Sequence, residues 1–230
     1  MNLASMLTKG VDPSPQVFYP INSVRRQSEM RYDNETTSGL LLAPGAGQFM
    51  VMMMLLEAIA PGYSMHDNAI SDLGTIPETR LFFNASLFAI GLMNLLAGYF
   101  LYRSLGDKVL LTIFCLGGIG AMGAGLVPLD SPLGVHGVFA FLAFLFLNIE
   151  AILVGLKLHR ALKAISVLAG MVGLIFLVMM ILVDSGTIDA SGSIGHGGVE
   201  RMIAYPALIW MMVFGGSLMA KPSLGKTKVA

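Results

Sequence analysis

Val109-Leu-Leu-Thr-Ile-Phe-Cys115-Leu-Gly117-Gly118-Ile-Gly120-Ala121-Met-Gly123-Ala124-Gly125-Leu-Val-Pro128-Leu129 runs for 21 residues without a charge. A helix of about 20 apolar residues rises 1.5 Å per residue and crosses about 30 Å of hydrocarbon with its backbone groups satisfied internally. Its small residues recur about every four positions, the spacing that lets helix backbones approach closely. This predicts a membrane span in the middle of a helical bundle.

Five more such stretches flank it: Leu40–Ala60, Leu81–Arg103, His136–Leu156, Ala164–Val183 and Met202–Ala220. AVILMFWYC residues make up 55% of the chain and charged residues 12%, half the charge of about 25% usual in soluble domains. The fold class is therefore all-α: a polytopic integral membrane protein built as a six-transmembrane-helix bundle. The organisation read from the sequence is a polar N-terminal tail (1–37), the six-helix domain (38–220) and a C-terminal tail (221–230). Net charge is zero, which gives no electrostatic basis for nucleic-acid binding. The one cysteine, Cys115, lies in the third span and can form neither an intrachain disulfide nor a thiolate metal site.

Charge fixes the orientation. With the N-terminal tail inside, Lys9, Arg25, Arg26, Arg31, Arg103, Lys108, Lys157, Arg160, Lys163, Lys221, Lys226 and Lys228 fall on one side, and Arg80 and Arg201 on the other. Lys and Arg concentrate on the cytoplasmic side of short loops, so a cell-membrane protein with both termini cytoplasmic is expected. The short turns Ser104–Lys108 and Lys157–Lys163 imply antiparallel hairpins.

The outer face collects Asp67, Asp72, Glu78, Asp130, Asp184, Asp189 and Glu200, together with His66, His136 and His196. Glu57 is about one turn from the end of the first span and can join them. Asn68–Leu73 reads as about one helical turn stopped by Gly74. Thr75, Pro77 and Glu78 read as the capping box of the second helix, and Ser131 before Pro132 as a cap for the fourth. A sixth helix starting near His196 would put Glu200 on the same face, four residues on. Arg201 is expected to pair with Asp72 or Asp184.

Three functional readings follow. A polar outer pocket at Ser71, Asp72, Asn84, Asp130, His136, Glu200 and Arg201 would hold a lipid headgroup, with Arg80 or Arg201 on its phosphate. His66, His136 and His196 with nearby carboxylates offer a zinc ligand set, which would activate water for hydrolysis of a membrane lipid. A small transporter or an accessory subunit of a membrane complex is the third, and a transporter requires a cavity reaching Asn94 or Glu150. Glu150 is expected to snorkel towards Arg103 or Lys157, and Asn148 to knit helices together. The expected partners are membrane lipids, with a second copy of the chain or other membrane subunits as further candidates.

Asn68-Ala-Ile-Ser71-Asp72-Leu-Gly74, Pro77-Glu78, Phe83-Asn84, Gly125-Leu-Val-Pro128-Leu-Asp130 with His136, and the Gly-x-x-Glu200-Arg201 entry to the last helix resemble the uncharacterised membrane family called domain of unknown function 998, over roughly residues 40–220. Ile70-Ser71-Asp72 and Pro77-Glu78 are also similar to the DRAM/FRAG-type six-span proteins, eukaryotic membrane proteins linked to autophagy and lipid-anchor remodelling. The resemblance implies six spans and an outer-face signature at Ser71, Asp72, Asn84, Pro128, Asp130 and His136. It implies no activity.

Overall fold

A computed structural model describes residues 33–187, 192 and 194–220. The elements are α1 (Asn34–Ile59), a 3₁₀ turn (Ile70–Gly74), α2 (Arg80–Leu105), α3 (Lys108–Leu126), α4 (His136–Lys157), α5 (Arg160–Asp184) and α6 (Gly195–Met219). Among the described residues there is no strand. All six helices are long and apolar enough to cross a membrane. The protein is an all-α, six-span membrane protein. Lys9, Arg25, Arg26, Arg31, Asp189, Lys221, Lys226 and Lys228 lie outside the described residues.

Helix ends differ from the apolar runs where polar residues find partners. Helix α1 starts six residues before Leu40, because the Asp33 carboxylate accepts the Thr36 N–H at 2.8 Å and so satisfies a first-turn donor. Helix α6 starts at Gly195, before its apolar run at Met202 and beside His196, where the sequence predicts the start. The capping box expected at Thr75–Glu78 does not form: α2 begins at Arg80 after Thr79. The Thr75 hydroxyl instead donates to the Asp72 carbonyl at 2.8 Å, and Glu78 is exposed. Helix α4 follows Val135; the Ser131 hydroxyl only accepts the Leu133 N–H at 3.4 Å.

Each helix packs against its neighbours in sequence and α6 returns to α1, closing a ring; α4 and α6 also touch across it. Helix α3 is thus one stave of the ring, between α2 and α4, and not an axial helix. Its glycines act on both flanks. A Cβ at Gly118 would lie 2.7 Å from the Gly91 carbonyl oxygen of α2, and one at Gly117 2.6 Å from Glu150 Oε1 of α4.

The up-and-down order sends the α1–α2, α3–α4 and α5–α6 connections to one end, called here the loop-rich end. The α2–α3 and α4–α5 turns lie at the other, the hairpin end. There Gly106 takes a left-handed φ of 69° to end α2. Asp107 then caps α3 through the Val109 and Leu110 N–H groups and meets Lys157 at 2.7 Å. These contacts hold the Asp107 carboxyl below its ordinary value, the Lys157 hydrogen bond most.

Candidate functional site

The loop-rich end is closed by a plug. Asp72 Oδ2 accepts the Ala69 N–H at 3.0 Å and the Asn68 amide at 3.1 Å, which folds the 3₁₀ turn on its own carboxylate. The turn buries Ile70 and Leu73. Asn84 reaches from α2 to the Gly74 carbonyl at 3.1 Å, and a Cβ at Gly74 would lie 2.5 Å from Asn84 Oδ1. Arg80 pairs with Asp130 at 2.7 Å on the surface, both partners 44% exposed. Asp72, Asn84 and Asp130 therefore shape and anchor the end of the bundle.

Arg201 is consumed by the fold. Its Nε and Nη2 bond Glu57 Oε1 at 3.1 and 2.6 Å, Nη2 also meets the Tyr63 hydroxyl at 2.5 Å, and Nη1 serves the carbonyls of Met65, Asn68 and Gly197. A guanidinium has five N–H groups, and six contacts use them all. The pair is buried, with side chains 6% and 7% exposed. This corrects the expected partner of Arg201 from Asp72 or Asp184 to Glu57, and it leaves no donor of Arg201 for a phosphate. The Tyr63 hydroxyl donates its own hydrogen bond to the Ala69 carbonyl at 2.9 Å. Burial is the main cause that pushes its pKa up to about 12.

Beneath the plug lies a small inner cavity of about 60 Å³, lined mostly by apolar groups of α1, α2, α3, α4 and α6. About 10–15 Å³ on this measure admits one water, so the cavity has room for a few waters or a short apolar group. A larger crevice of about 480 Å³ lies between α4 and α5, with Phe141, Leu177, Met180 and Ile181 on its walls. Ser71, His136, Ala140, Phe144 and Glu200 are walls of both. Helix α5 is the span least covered by its neighbours, so the crevice faces the side of the bundle.

Two largely buried polar residues line this junction, each with one side-chain atom not engaged by another described residue. Glu200 is 4% exposed, and its Oε2 accepts the Ile70 N–H. Glu200 Oε1 has no hydrogen-bond partner among the described residues. His136 is 5% exposed and its Nδ1–H donates to the Val127 carbonyl at 2.7 Å, which leaves Nε2 as an acceptor in the neutral ring. A second lateral groove of about 640 Å³ lies between α1 and α6, lined by Met50, Met54, Met65, Met212 and the acid Glu57. Glu57 Oε1 is the oxygen that Arg201 holds.

The three histidines take separate partners. His66 Nδ1 meets Asp67 at 2.7 Å, His196 Nε2 meets Asp184 at 3.1 Å, and His136 serves Val127. Among the described residues no three of His, Cys, Asp and Glu gather as a metal shell. The zinc set expected at His66, His136 and His196 is not assembled, because each imidazole is turned to its own local acceptor. The hydrogen bond to Asp67 raises the His66 pKa and lowers that of Asp67.

Glu150 does not snorkel. It is fully buried, and its Oε1 accepts the Asn94 amide at 2.8 Å. The missing side chain of Gly117 makes the room. Glu150 Oε2 and Asn94 Oδ1 are buried without partners among the described residues. Neither residue lines the inner cavity. Asn148 joins α4 to α6 through the Ile203 carbonyl at 3.1 Å, as a helix-knitting amide does.

Sequence reasoning placed Glu57 at the loop-rich end but did not connect it to Arg201, and it missed Tyr63. The lone acid in the first apolar run was the available signal for Glu57; a tyrosine in a polar loop carries none. No curated protein and no solved structure matches the chain. One family model does, over residues 44–217, and its description is "Protein of unknown function (DUF998)". With six apolar helices forming the ring and three-quarters of the chain inside the match, the protein belongs to the DUF998 family of membrane proteins.

Proposed function

We propose that the protein holds a membrane amphiphile in the α4–α5 crevice, with its polar end among Ser71, His136 and Glu200. The observation that carries this reading is the shared wall. A lateral apolar opening and an inner cavity meet at two buried polar groups, each with an unused acceptor atom. Ligand sites are usually concave, mostly apolar and furnished with a few convergent polar groups. Chain-shaped ligands enter such a site from the bilayer without crossing water.

The orientation in this reading is a cell-membrane protein with both termini cytoplasmic and the loop-rich end outside. Arg103, Lys108, Lys157, Arg160 and Lys163 stand at the hairpin end, and at the loop-rich end Arg80 and Arg201 are each paired with an acid. That distribution supports it.

Native mass spectrometry of gently extracted protein tests the binding. The wild type is expected to carry a co-purified lipid and Ala140→Trp, which fills the crevice wall, to lose it. Lipid-free wild type, or equal retention by the folded variant, would overturn the reading.

A further inference from the structure

We infer that the crevice selects an amphiphile whose polar end donates hydrogen bonds, an alcohol or an amine, and rejects phosphate; this rests on the crevice reading above. Among the described residues the walls of the inner cavity and the crevice include Glu200, Asp184, His136 and His196 and no Lys or Arg. A phosphate needs guanidinium, ammonium or several N–H donors. Here the nearest guanidinium, Arg201, next in sequence to Glu200, spends all its N–H groups on Glu57, Tyr63 and three carbonyls. Arg80 is held by Asp130 at the α2 end.

What the junction offers is acceptors. Among the described residues Glu200 Oε1 is unused while Oε2 is fixed by the Ile70 N–H, so the carboxyl group is oriented by the plug before a ligand arrives. His136 is likewise oriented by Val127, with Nε2 free to accept. The Ser71 hydroxyl, on the same wall, can accept or donate. An anionic head would face the carboxyl groups of Glu200 and Asp184 with no uncommitted guanidinium or ammonium among the described wall residues, whereas a hydroxyl or ammonium head brings its own donors. Charge-assisted hydrogen bonds are the stronger ones.

Competition on the full-length wild type in phosphatidylcholine nanodiscs tests this. The probe is a diazirine-bearing monoacylglycerol, and the competitors are a monoacylglycerol, a long-chain primary amine and a long-chain alkyl phosphate of equal chain length. The alcohol and amine are expected to displace the probe at concentrations about tenfold or more below the alkyl phosphate. In Glu200→Gln the amine is expected to lose about tenfold while the monoacylglycerol changes less. Equal or better competition by the phosphate would overturn the headgroup assignment and leave the crevice reading standing. Failure of the probe to label the crevice at all would overturn both. The comparison of heads on the wild type needs no variant to fold.

Discussion

The guanidinium of Arg201 lies 2.6 Å from the carboxylate of Glu57, 144 residues away in sequence, with both side chains almost wholly enclosed. The contact binds α6 to α1 at the seam where the ring closes, and the other N–H groups of Arg201 hold the plug loop to the same seam. A charge at mid-membrane costs roughly 2.5–3.5 kcal/mol on insertion scales. Position near the loop-rich end and a full set of partners offset that cost.

Removal of one partner leaves the other buried and uncompensated. Arg201→Ala is expected to lower stability by about 3–5 kcal/mol, read by denaturant or thermal unfolding in detergent micelles. Arg201→Lys is expected to recover little, since an ammonium has three donors and no planar fork. A loss below about 1 kcal/mol for Arg201→Ala would show that the seam does not depend on the pair.

Close backbone approach makes a second prediction. Gly118→Ala places a Cβ 2.7 Å from the Gly91 carbonyl, against backbone that cannot yield, and is expected to cost about 1–3 kcal/mol. Gly216 has nothing within 4 Å of its added Cβ, so Gly216→Ala is expected to be neutral or to gain up to about 1 kcal/mol. Unfolding of the two variants side by side checks the contrast; equal effects would contradict the packing of α3 on α2.

Much of this architecture was readable from the chain, and the misreadings have physical causes. The apolar runs found all six spans because lipid imposes a length and a composition on each. The start of α1 is missed because Asn34-Glu35-Thr36-Thr37 is too polar to look embedded, whereas the start of α6 near His196 is anticipated although Gly195–Arg201 precedes the apolar run. Asp33 caps the first group, and in the second Glu200 and Arg201 are enclosed by contacts from distant segments. Glu150 was misplaced for a related reason: nothing local announces that Gly117 on another helix leaves space for its carboxyl. Ser71, His136 and Glu200 were named as pocket residues, and they do meet. The crevice beside them was not legible, since it exists only in the spacing of α4 from α5.

Glu150 itself offers a third test. Its carboxyl is fully enclosed, with one amide donor and an oxygen that no group serves. Glu150→Gln keeps the shape and removes the ionisable group, so its thermal stability is expected to equal or exceed that of the wild type, by up to about 3 kcal/mol. A clear loss would show that the carboxyl has a partner beyond Asn94.

The exposed pair His66 and Asp67 sets a pH dependence. The hydrogen bond to Asp67 raises the imidazole pKa above its ordinary 6.5, so the contribution is full below that value and is lost as pH rises through the folded midpoint. For Asp67, lowered from 3.8 by the same bond, the contribution is present above that value and is lost as pH falls through the folded midpoint. Imidazole NMR titration is expected to give His66 a raised midpoint that falls back in Asp67→Asn. An unchanged midpoint in that variant would contradict the contact.

Orientation is tested by labelling. In a Cys115→Ala background, Ser131→Cys is expected to react with an impermeant maleimide on intact cells, and Ser104→Cys only after lysis. The reverse pattern would invert the protein.

The most direct measurement is a residue-level map of where a lipid chain sits. A diazirine-bearing monoacylglycerol, activated by light in native membranes and followed by peptide mass spectrometry, is predicted to label Phe141, Phe144, Leu177 and Met180 within the α4–α5 crevice. Label confined to the outward residues of α5, such as Leu168 and Ile175, would mean that the bilayer merely bathes the bundle and that the crevice holds no ligand.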